Sequence, residues 1–406
     1  MAFDPLDQPG MDLEDQFRSW SELNVDPIPE RPDDQYTMTR IILMNGIEVE
    51  SVMFGHQFAR HVDDPTLLRA LATSRRADHQ QQRAVNWLLP GTLSPLETTI
   101  GYEQVAVDLT AWLARNEPDP NIRQALDFAL LEDFDHLYRY ADLYELMDGR
   151  HAEDITRSLT EITPGRPTEV QHRHPVDDLR AHFETHAVDP LTRMHVMTVV
   201  AGEQQTMNYY MNHGVDFVEP IARKLYLEIA EIEEQHVTHY ESLLDPLDSW
   251  IAMWVMHEYN EVYLYWSFAQ QETDPRIKRL WELHLEMEIG QLQAACRFLE
   301  RYEGRDPREL LPPSLPEVPL TMQSNKDYVR QVLATQIDLR SDEGRYVDVS
   351  EVGKGAPSTR YQSIVNADGV PTEQVIDLTR DETGGEYRDE TEGRHPVESL
   401  RAPVTA

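Results

Sequence analysis

Cysteine is almost absent from this chain, because Cys296 is the only one among 406 residues. A single cysteine excludes an intramolecular disulfide framework and a cysteine-based zinc or iron–sulfur site within one chain. It also excludes a fused rubredoxin-type electron-transfer module. Any redox chemistry would therefore use other ligands, and the electrons would come from a separate protein.

Positive charge is scarce as well. The chain has 36 Lys and Arg against 73 Asp and Glu, which gives a formal net charge of −37 at pH 7. Its lysines are Lys224, Lys278, Lys326 and Lys354. Nucleic-acid grooves need a basic stripe and anionic membranes attract basic segments, so neither partner is expected. The acidic surface is interpreted as a solvated one that carries no information on the substrate.

Long apolar runs are missing too. No stretch of about 18 apolar residues is available for a membrane span. The first residues, MAFDPLDQPGMDLEDQ, lack the apolar segment of a signal peptide. We therefore expect a soluble, cytoplasmic protein. Its length suffices for one large domain or two average ones.

The residues that are present predict an all-α protein. Residues 1–36 are rich in Pro and Asp and are interpreted as an extended arm. Residues 37–305 form long amphipathic runs with helical spacing. Residues 306–406 begin as a proline-rich strap and continue as an acidic tail. We expect this tail to be flexible, or ordered only by wrapping the body or a partner.

The helical region repeats one spacing rule four times. A Glu is followed 16 and 17 residues later by an acid–proline pair, 30 residues later by a second acid, and 33 residues later by His or Gln. The copies are Glu48, Asp64-Pro65, Asp78 and Gln81; Glu103, Asp119-Pro120, Asp133 and His136; Glu203, Glu219-Pro220, Glu233 and His236; and Glu258, Asp274-Pro275, Glu288 and Gln291. The rule predicts four helical hairpins, over residues 37–90, 94–148, 190–247 and 249–304, with a crossover over 149–189.

The acid–proline pairs predict where the second helix of each hairpin starts. An Asp or Glu at the position before a helix accepts bonds from free backbone N–H groups, and Pro in the first turn loses no needed donor. This structural explanation is sufficient, so we assign these pairs no chemistry.

The spacing also predicts which side chains meet. Residues equally far from the turn of an antiparallel hairpin lie at the same height. Glu103 and Asp133 are each 15 residues from Pro118. At about 1.5 Å per residue both lie mid-helix, roughly 22 Å from the turn. The third hairpin has the same register around Val218. Asp133 and His136 are at i and i+3 and project from one face.

Two such hairpins supply four carboxylates and two imidazoles around one centre, which is an arrangement that binds two metal ions in helical bundles. The crossover of residues 149–189 is long enough to follow a helix of about 42 Å, whereas the links to the flanking hairpins are short. The second and third hairpins should therefore pack together. The predicted metal ligands are Glu103, Asp133, His136, Glu203, Glu233 and His236.

These residues resemble the ligand pattern of the ferritin-like di-iron carboxylate superfamily, whose order is Glu, Glu-x-x-His, Glu, Glu-x-x-His on four helices. The resemblance covers about residues 94–247. It implies a ferritin-like four-helix bundle with two additional flanking hairpins. It also implies two iron ions that meet O2 or peroxide, with manganese or a mixed iron–manganese pair as the alternative.

The sequence departs from the superfamily pattern at two positions. Asp133 stands where a Glu is usual, which shortens that ligand by one methylene. The superfamily also places an acid just before the helix-borne Glu ligand, to bond the opposite histidine. Glu132 fits this role and Ile232 does not, so His136 needs another partner. No catalytic side chain is assigned. Glu132, Tyr140 and Tyr240 are candidates for supporting roles beside the ligands.

The flanking hairpins carry glutamine where the central ones carry histidine. Because glutamine is a poor transition-metal ligand, Gln81 and Gln291 are interpreted as members of polar layers in packing copies. A second centre remains the alternative, formed by Glu48, Asp78, Glu258 and Glu288, with His79 and His284 nearby.

Three functions are compatible with this pattern. The first is an oxidase or oxygenase that activates O2 on an unknown organic substrate and needs a separate electron-donor reductase. The second is a ferritin- or rubrerythrin-like role in iron handling or peroxide removal, and the third is a non-catalytic helical scaffold. Size favours the first, because the extra segments can enclose a pocket; the aromatic stripe of Tyr259, Tyr263 and Trp266 is a core element or a wall of that pocket. A homodimer is left open.

Overall fold

The computed structural model describes residues 3–402 of the chain. These residues are mostly helical, and their only sheet is a two-stranded antiparallel one. The predicted all-α class is therefore confirmed. Among the described residues, no helix combines the length and the apolar character needed to cross a membrane.

Eight long helices form four consecutive hairpins, and shorter elements precede, separate and follow them. The α-helices are α1 (Trp20–Leu23), α2 (Thr37–Ala59), α3 (Pro65–Asn86), α4 (Pro95–Asn116), α5 (Pro120–Asp148), α6 (Glu153–Thr156), α7 (Thr168–Gln171), α8 (Pro175–Asp178), α9 (Pro190–His213), α10 (Pro220–Glu241), α11 (Trp250–Gln271), α12 (Pro275–Glu303), α13 (Lys326–Gln336), α14 (Pro357–Val365) and α15 (Pro371–Thr383). The strands are β1 (Leu339–Asp342) and β2 (Arg345–Asp348). Short 3-10 helices lie at Pro5–Asp7, Leu13–Asp15, Gly214–Asp216, Pro307–Glu309, Val349–Glu351 and Glu398–Leu400.

The acid–proline pairs mark the starts of α3, α5, α10 and α12. In α3, α5 and α12 the Asp before the proline accepts two backbone N–H bonds from the first turn, as Asp119 does from Asn121 and Ile122. Glu219, before α10, makes no such bond. The pairs thus serve to start helices, as the sequence indicated.

The described chain forms two compact units. The first contains the residues through Thr92, Phe183–Ala201 and Asp245–Met322. It combines the first and fourth hairpins, in which α2 contacts α11 and α3 contacts α12. The sequence allowed this pairing only through its alternative of a second centre formed by Glu48, Asp78, Glu258 and Glu288. The physical basis of the pairing includes polar contacts across the hairpins, since Gln81 donates to Glu288 and Gln291 donates to Asp78.

The N-terminal arm follows α12 in this first unit. Met11 N donates to the Glu286 carbonyl (3.0 Å), and Gln16 Nε2 donates to the Met287 carbonyl (2.9 Å). The backbones approach so closely at Gly290 that a Cβ there would collide with the Met11 carbonyl. The predicted arm is therefore fixed to α12 by backbone contacts.

The aromatic stripe of α11 anchors the proline-rich strap. The hydroxyl of Tyr259 donates to the Ser314 carbonyl (3.1 Å), and that of Tyr263 donates to the Val318 carbonyl (2.8 Å). Trp266 is half-buried. The polar ends of the two tyrosines are thus used by the strap, which fits the interpretation of this stripe as a core element.

The second unit contains Leu93–His182, Gly202–Leu244 and the residues from Gln323 onward. It combines α4, α5, α10 and the later part of α9 with the crossover and the tail. The apolar core is formed by side chains of α4, α5 and α10, among them Ile100, Leu137 and Ile229. This unit holds all six predicted metal ligands.

The acidic tail packs on the second unit, which corresponds to the second of the two alternatives that the sequence left open, a tail ordered by wrapping the body. Helices α13 and α15 contact α5, and Leu333, Val375 and Ile376 are buried in the core of the second unit. The backbone N–H of Thr372 donates to the buried Glu228 (2.8 Å). Few large apolar residues occur in the tail, but those of α13 and α15 recur at helical spacing and suffice for docking.

Replacing Ile376 by alanine is expected to lower the free energy of unfolding of the second unit by about 2–5 kcal/mol, because a buried methylene-rich side chain is removed. Ile376 is 1% exposed, whereas Leu378 on the same helix is 40% exposed. Leu378→Ala should change stability by less than about 0.5 kcal/mol. Urea unfolding of both variants measures the difference. Equal stability of the two variants would show that the tail is not docked.

Candidate metal centre

The six residues predicted as metal ligands lie together in the second unit. Glu103 comes from α4, Asp133 and His136 from α5, Glu203 from the later part of α9, and Glu233 and His236 from α10. Each of the six is at most 2% exposed. The equal spacing of the hairpins therefore places ligands from four helices at one height.

The ligand atoms form two overlapping groups, and within each group they lie within 4.8 Å of one another. The first group is Asp133, Glu203, Glu233 and His236, and the second is Glu103, His136 and Glu233. Glu233 belongs to both groups. This arrangement suits two neighbouring cations bridged by one carboxylate.

The two histidines present the same ring nitrogen to the cluster. His236 Nδ1 lies 3.2 Å from Asp133 Oδ1, 3.3 Å from Glu233 Oε2 and 3.6 Å from Glu203 Oε2. His136 Nδ1 lies 2.9 Å from Glu233 Oε1. The imidazole rings are stacked with centroids 5.7 Å apart. Each ring thus belongs to one of the two groups.

The charges in the cluster shift the pKa values in opposite directions. Burial raises the pKa values of Glu103 and Glu203 well above their usual range. Burial opposes protonation of His136, but Glu233 outweighs it and raises the pKa of that imidazole to about 9. At Glu233, burial raises the pKa, but the interaction with His136 outweighs burial and lowers it. The buried acids and imidazoles of the cluster therefore influence one another's protonation strongly.

The donor set fits divalent transition metals. Glu103 Oε2, Asp133 Oδ1, Glu203 Oε2, Glu233 Oε2 and His236 Nδ1 are buried and make no well-aligned hydrogen bond, although His236 Nδ1 lies close to three of these oxygens. A buried acid without a partner costs several kcal/mol or is forced to protonate. Carboxylates and imidazoles together suit iron, manganese and zinc. Bound cations would supply the missing partners.

Glu132 forms a hydrogen bond with Nε2 of His236, the ring nitrogen on the side away from the ligand group. Its Oε2 lies 2.9 Å from His236 Nε2, and its Oε1 accepts from Arg166 (2.6 Å) and Arg173 (2.5 Å). Burial opposes ionisation of Glu132, but Arg173 and Arg166 outweigh it and hold its pKa well below the usual range. The carboxylate therefore stays charged, as a partner that orients the opposite histidine.

Gln171 forms a hydrogen bond with Nε2 of His136. The sequence had left the partner of this histidine open. The Oε1 atom of Gln171 lies 2.9 Å from His136 Nε2, and its Nε2 donates to the Arg166 carbonyl (2.7 Å). Gln171, Arg166 and Arg173 all come from the crossover. Sequence reasoning missed them because this segment has no periodicity that could place single side chains.

Three tyrosines surround the ligands. Tyr140 and Tyr240 are fully buried, and neither hydroxyl has a hydrogen-bond partner. Burial raises both tyrosine pKa values, and Asp133 and Glu203 add to the shift at Tyr240. Tyr210 was not predicted, although its hydroxyl donates to Glu103 Oε1 (2.5 Å).

The repeated hairpins contain a spacing that could have predicted the role of Tyr210. Tyr210 stands seven residues after Glu203, and Tyr265 stands seven residues after Glu258. In the first unit, the Tyr265 hydroxyl donates to Glu48 in the same manner. A tyrosine two helical turns after the glutamate therefore supports the first-helix glutamate of the other hairpin in both units.

An open surface cavity of about 540 Å³ lies beside Tyr210, and several of its lining side chains are exposed. Its lining is mostly apolar and includes Met211, Val218 and Leu227. Arg223 and Lys224 also line it, which is notable in a chain with four lysines. Sequence reasoning did not find this cavity because it lies at the turn between α9 and α10.

Comparison with known proteins adds no relative. No protein-family model, no curated protein and no solved structure matches this chain. The interpretation of the site therefore depends on its own residues and geometry.

Proposed function

We propose that the second unit is a di-metal carboxylate centre of the ferritin-like type, and that the protein is an oxidoreductase that uses O2 on an organic substrate. The observation that carries this proposal is the pair of ligand groups that share Glu233, each with its own histidine. Two iron ions suit this set of ligands, with a manganese or a mixed iron–manganese pair as the alternative.

The chain's own residues would prepare this centre. When bound, the two ions would supply redox chemistry with O2. Glu132 and Gln171 occupy the Nε2 atoms of the two histidines, which leaves both Nδ1 atoms available as ligands. Tyr210 holds one oxygen of Glu103 and leaves the other free. These contacts fix the ligands before any metal arrives.

The cavity beside Tyr210 favours an oxidase or oxygenase over an iron store. Enzyme pockets are mostly apolar with a few polar groups that orient the substrate. This cavity has that character, and Tyr210 connects it through one hydrogen bond to Glu103. We propose an apolar substrate there, with Arg223 and Lys224 available for an anionic group. The electrons would come from a separate reductase, since the chain has one cysteine.

Exposing the ferrous protein to O2 tests the proposed chemistry. Protein loaded with Fe²⁺ without oxygen should consume O2 once, in proportion to the protein, and develop an absorption band of an oxidised iron centre. It should then stop until a reductant is added. Stopped-flow absorption and an oxygen electrode measure both events. His136→Ala, loaded in the same way, should show neither.

The competing functions predict different results. Continued oxidation of iron far beyond the number of ligand groups would indicate iron storage. Rapid turnover of peroxide without an organic substrate would indicate a peroxidase. No O2 consumption by fully loaded protein would leave the scaffold interpretation and contradict the proposal.

A further inference from the structure

The first unit contains a separate cluster of buried acids. Five carboxylates from four helices take part, and each is at most 2% exposed: Glu48 of α2, Asp78 of α3, Glu258 and Glu261 of α11, and Glu288 of α12. Oxygens of Glu48, Glu261 and Glu288 lie within 4.8 Å of one another. Glu261 is the member that the repeat rule did not include.

The hydrogen-bond partners of these acids are neutral. Tyr265 donates to Glu48, Trp254 Nε1 donates to Glu258 Oε1 (2.5 Å), and Gln291 Nε2 donates to Asp78 Oδ1 (2.7 Å). Among the described residues, no Lys, Arg or His forms an ion pair with any of the five acids. Arg75 lies on the same helix as Asp78, but its guanidinium donates to the Gly55 carbonyl (3.0 Å).

The nearby histidines do not compensate the acids either. His284 Nδ1 lies 3.1 Å from the Tyr265 hydroxyl, and burial lowers the pKa of this imidazole to about 3. His79 is exposed and contacts Arg83. The five buried acids therefore have no ion-pair partner among the described residues, and Arg75 acts on Asp78 only through a longer-range electrostatic interaction.

Unpartnered oxygens point to a missing cation. One oxygen each of Glu48, Glu258, Glu261 and Glu288 is buried without a partner. An amide oxygen adds to them, because Gln81 is 1% exposed, donates its Nε2 to Glu288, and leaves its Oε1 without a partner. An amide carbonyl oxygen is also a ligand for hard cations.

We propose that the first unit binds a hard divalent cation, of the class of Mn²⁺, Mg²⁺ and Ca²⁺, through Glu48, Glu261 and Glu288 with the Gln81 carbonyl. An all-oxygen donor set selects such ions, whereas imidazole in the second unit suits iron. The chain would thus hold two metal sites of different chemistry, built on one repeated hairpin. This site does not depend on the function proposed for the second unit.

The sequence explains how the donor set changed. In the first unit Gln81 and Gln291 replace the two histidines of the rule, so the nitrogen ligands are lost. One turn after the first-helix glutamate, the other three hairpins carry Ser51, Ala106 and Thr206, and the fourth carries Glu261. The fifth carboxylate therefore adds an oxygen ligand where nitrogen ligands were removed.

Manganese titration of the full chain tests the proposal. Metal-stripped protein at neutral pH should bind Mn²⁺ at a class of sites that low-temperature electron paramagnetic resonance detects as loss of the free-ion signal. Glu261→Gln should weaken this class by more than about tenfold, whereas His236→Ala should keep it. Glu282→Gln removes an exposed acid of α12 and is the matched control; it should bind like the unchanged protein.

The folding of Glu261→Gln is checked independently by its circular dichroism melt and its iron binding at the second unit, both of which should be retained. Competition by Mg²⁺ and Ca²⁺ identifies the preferred ion of the class. Equal Mn²⁺ binding by Glu261→Gln and the unchanged protein overturns the proposal. The proposal is also overturned if His236→Ala has no class of Mn²⁺ sites, because the acids of the first unit would then be neutralised by protons alone.

Discussion

Replacing His236 by alanine is expected to abolish metal binding in the second unit. His236 Nδ1 is the nitrogen that faces Asp133, Glu203 and Glu233, and among residues 3–402 this ligand group contains no second histidine. We expect iron retained at this centre after anaerobic loading and desalting to fall by at least about tenfold. Elemental analysis measures the loss, and the absorption band of the oxidised centre should disappear with it.

The matched control is His239→Ala on the same helix. His239 is also fully buried, but it packs beside Phe128 and belongs to neither ligand group. The His239→Ala variant should be less stable than the unchanged protein but should keep its iron. Because a metal stabilises the folded state that binds it, a chelator should lower the melting temperature of His239→Ala but hardly that of His236→Ala. Full iron occupancy in His236→Ala would refute the centre.

Replacing Glu132 by alanine is expected to cost about 3–5 kcal/mol of folding free energy, because two buried arginines lose their shared counter-charge. Arg166 and Arg173 are at most 3% exposed, and both donate to Glu132. Only Arg173 has a second carboxylate, Asp178, at 2.7 Å. Denaturant unfolding of the second unit measures the loss.

Glu231→Ala provides the comparison for this variant, since Glu231 is an exposed acid on α10. Its effect should stay within about 0.5 kcal/mol. Glu132→Ala should also weaken iron binding, because His236 loses the partner of its Nε2. A stable Glu132→Ala variant with full iron content would mean that the arginines find other partners and that Glu132 does not orient the histidine.

Spacing alone located the acids and histidines of the second unit. The register of a helical hairpin is set by the rise per residue and by the turn, and Asp119 and Pro120 mark that turn in the sequence. Side chains fixed by this geometry, such as Glu103 and Asp133, can therefore be placed by counting residues from the turn. The resemblance to the superfamily, rather than the spacing, indicated Glu132 as the partner of the opposite histidine.

Contacts between segments of irregular sequence could not be predicted in this way. Gln171 reaches His136 from the crossover, and the closeness of that segment to α5 depends on Gly165, where a Cβ would collide with the Leu131 carbonyl. The docking of the tail through Ile376 also depends on tertiary contacts between distant segments. The same is true of the pairing of the first and fourth hairpins. Helical spacing marks the apolar face of α15 but not the surface that it covers, and the repeat rule does not state which hairpins pair.

The crossover has a consequence for the order in which the centre is assembled. Its three site residues all bind α5: Arg166 and Arg173 contact Glu132, and Gln171 contacts His136. During synthesis from the amino terminus, α5 and the crossover exist before Glu233 and His236 have been made. The crossover can therefore close over half of the ligand set first. The later helices would then meet a charged half-site, and the proposed metal ions would bind last.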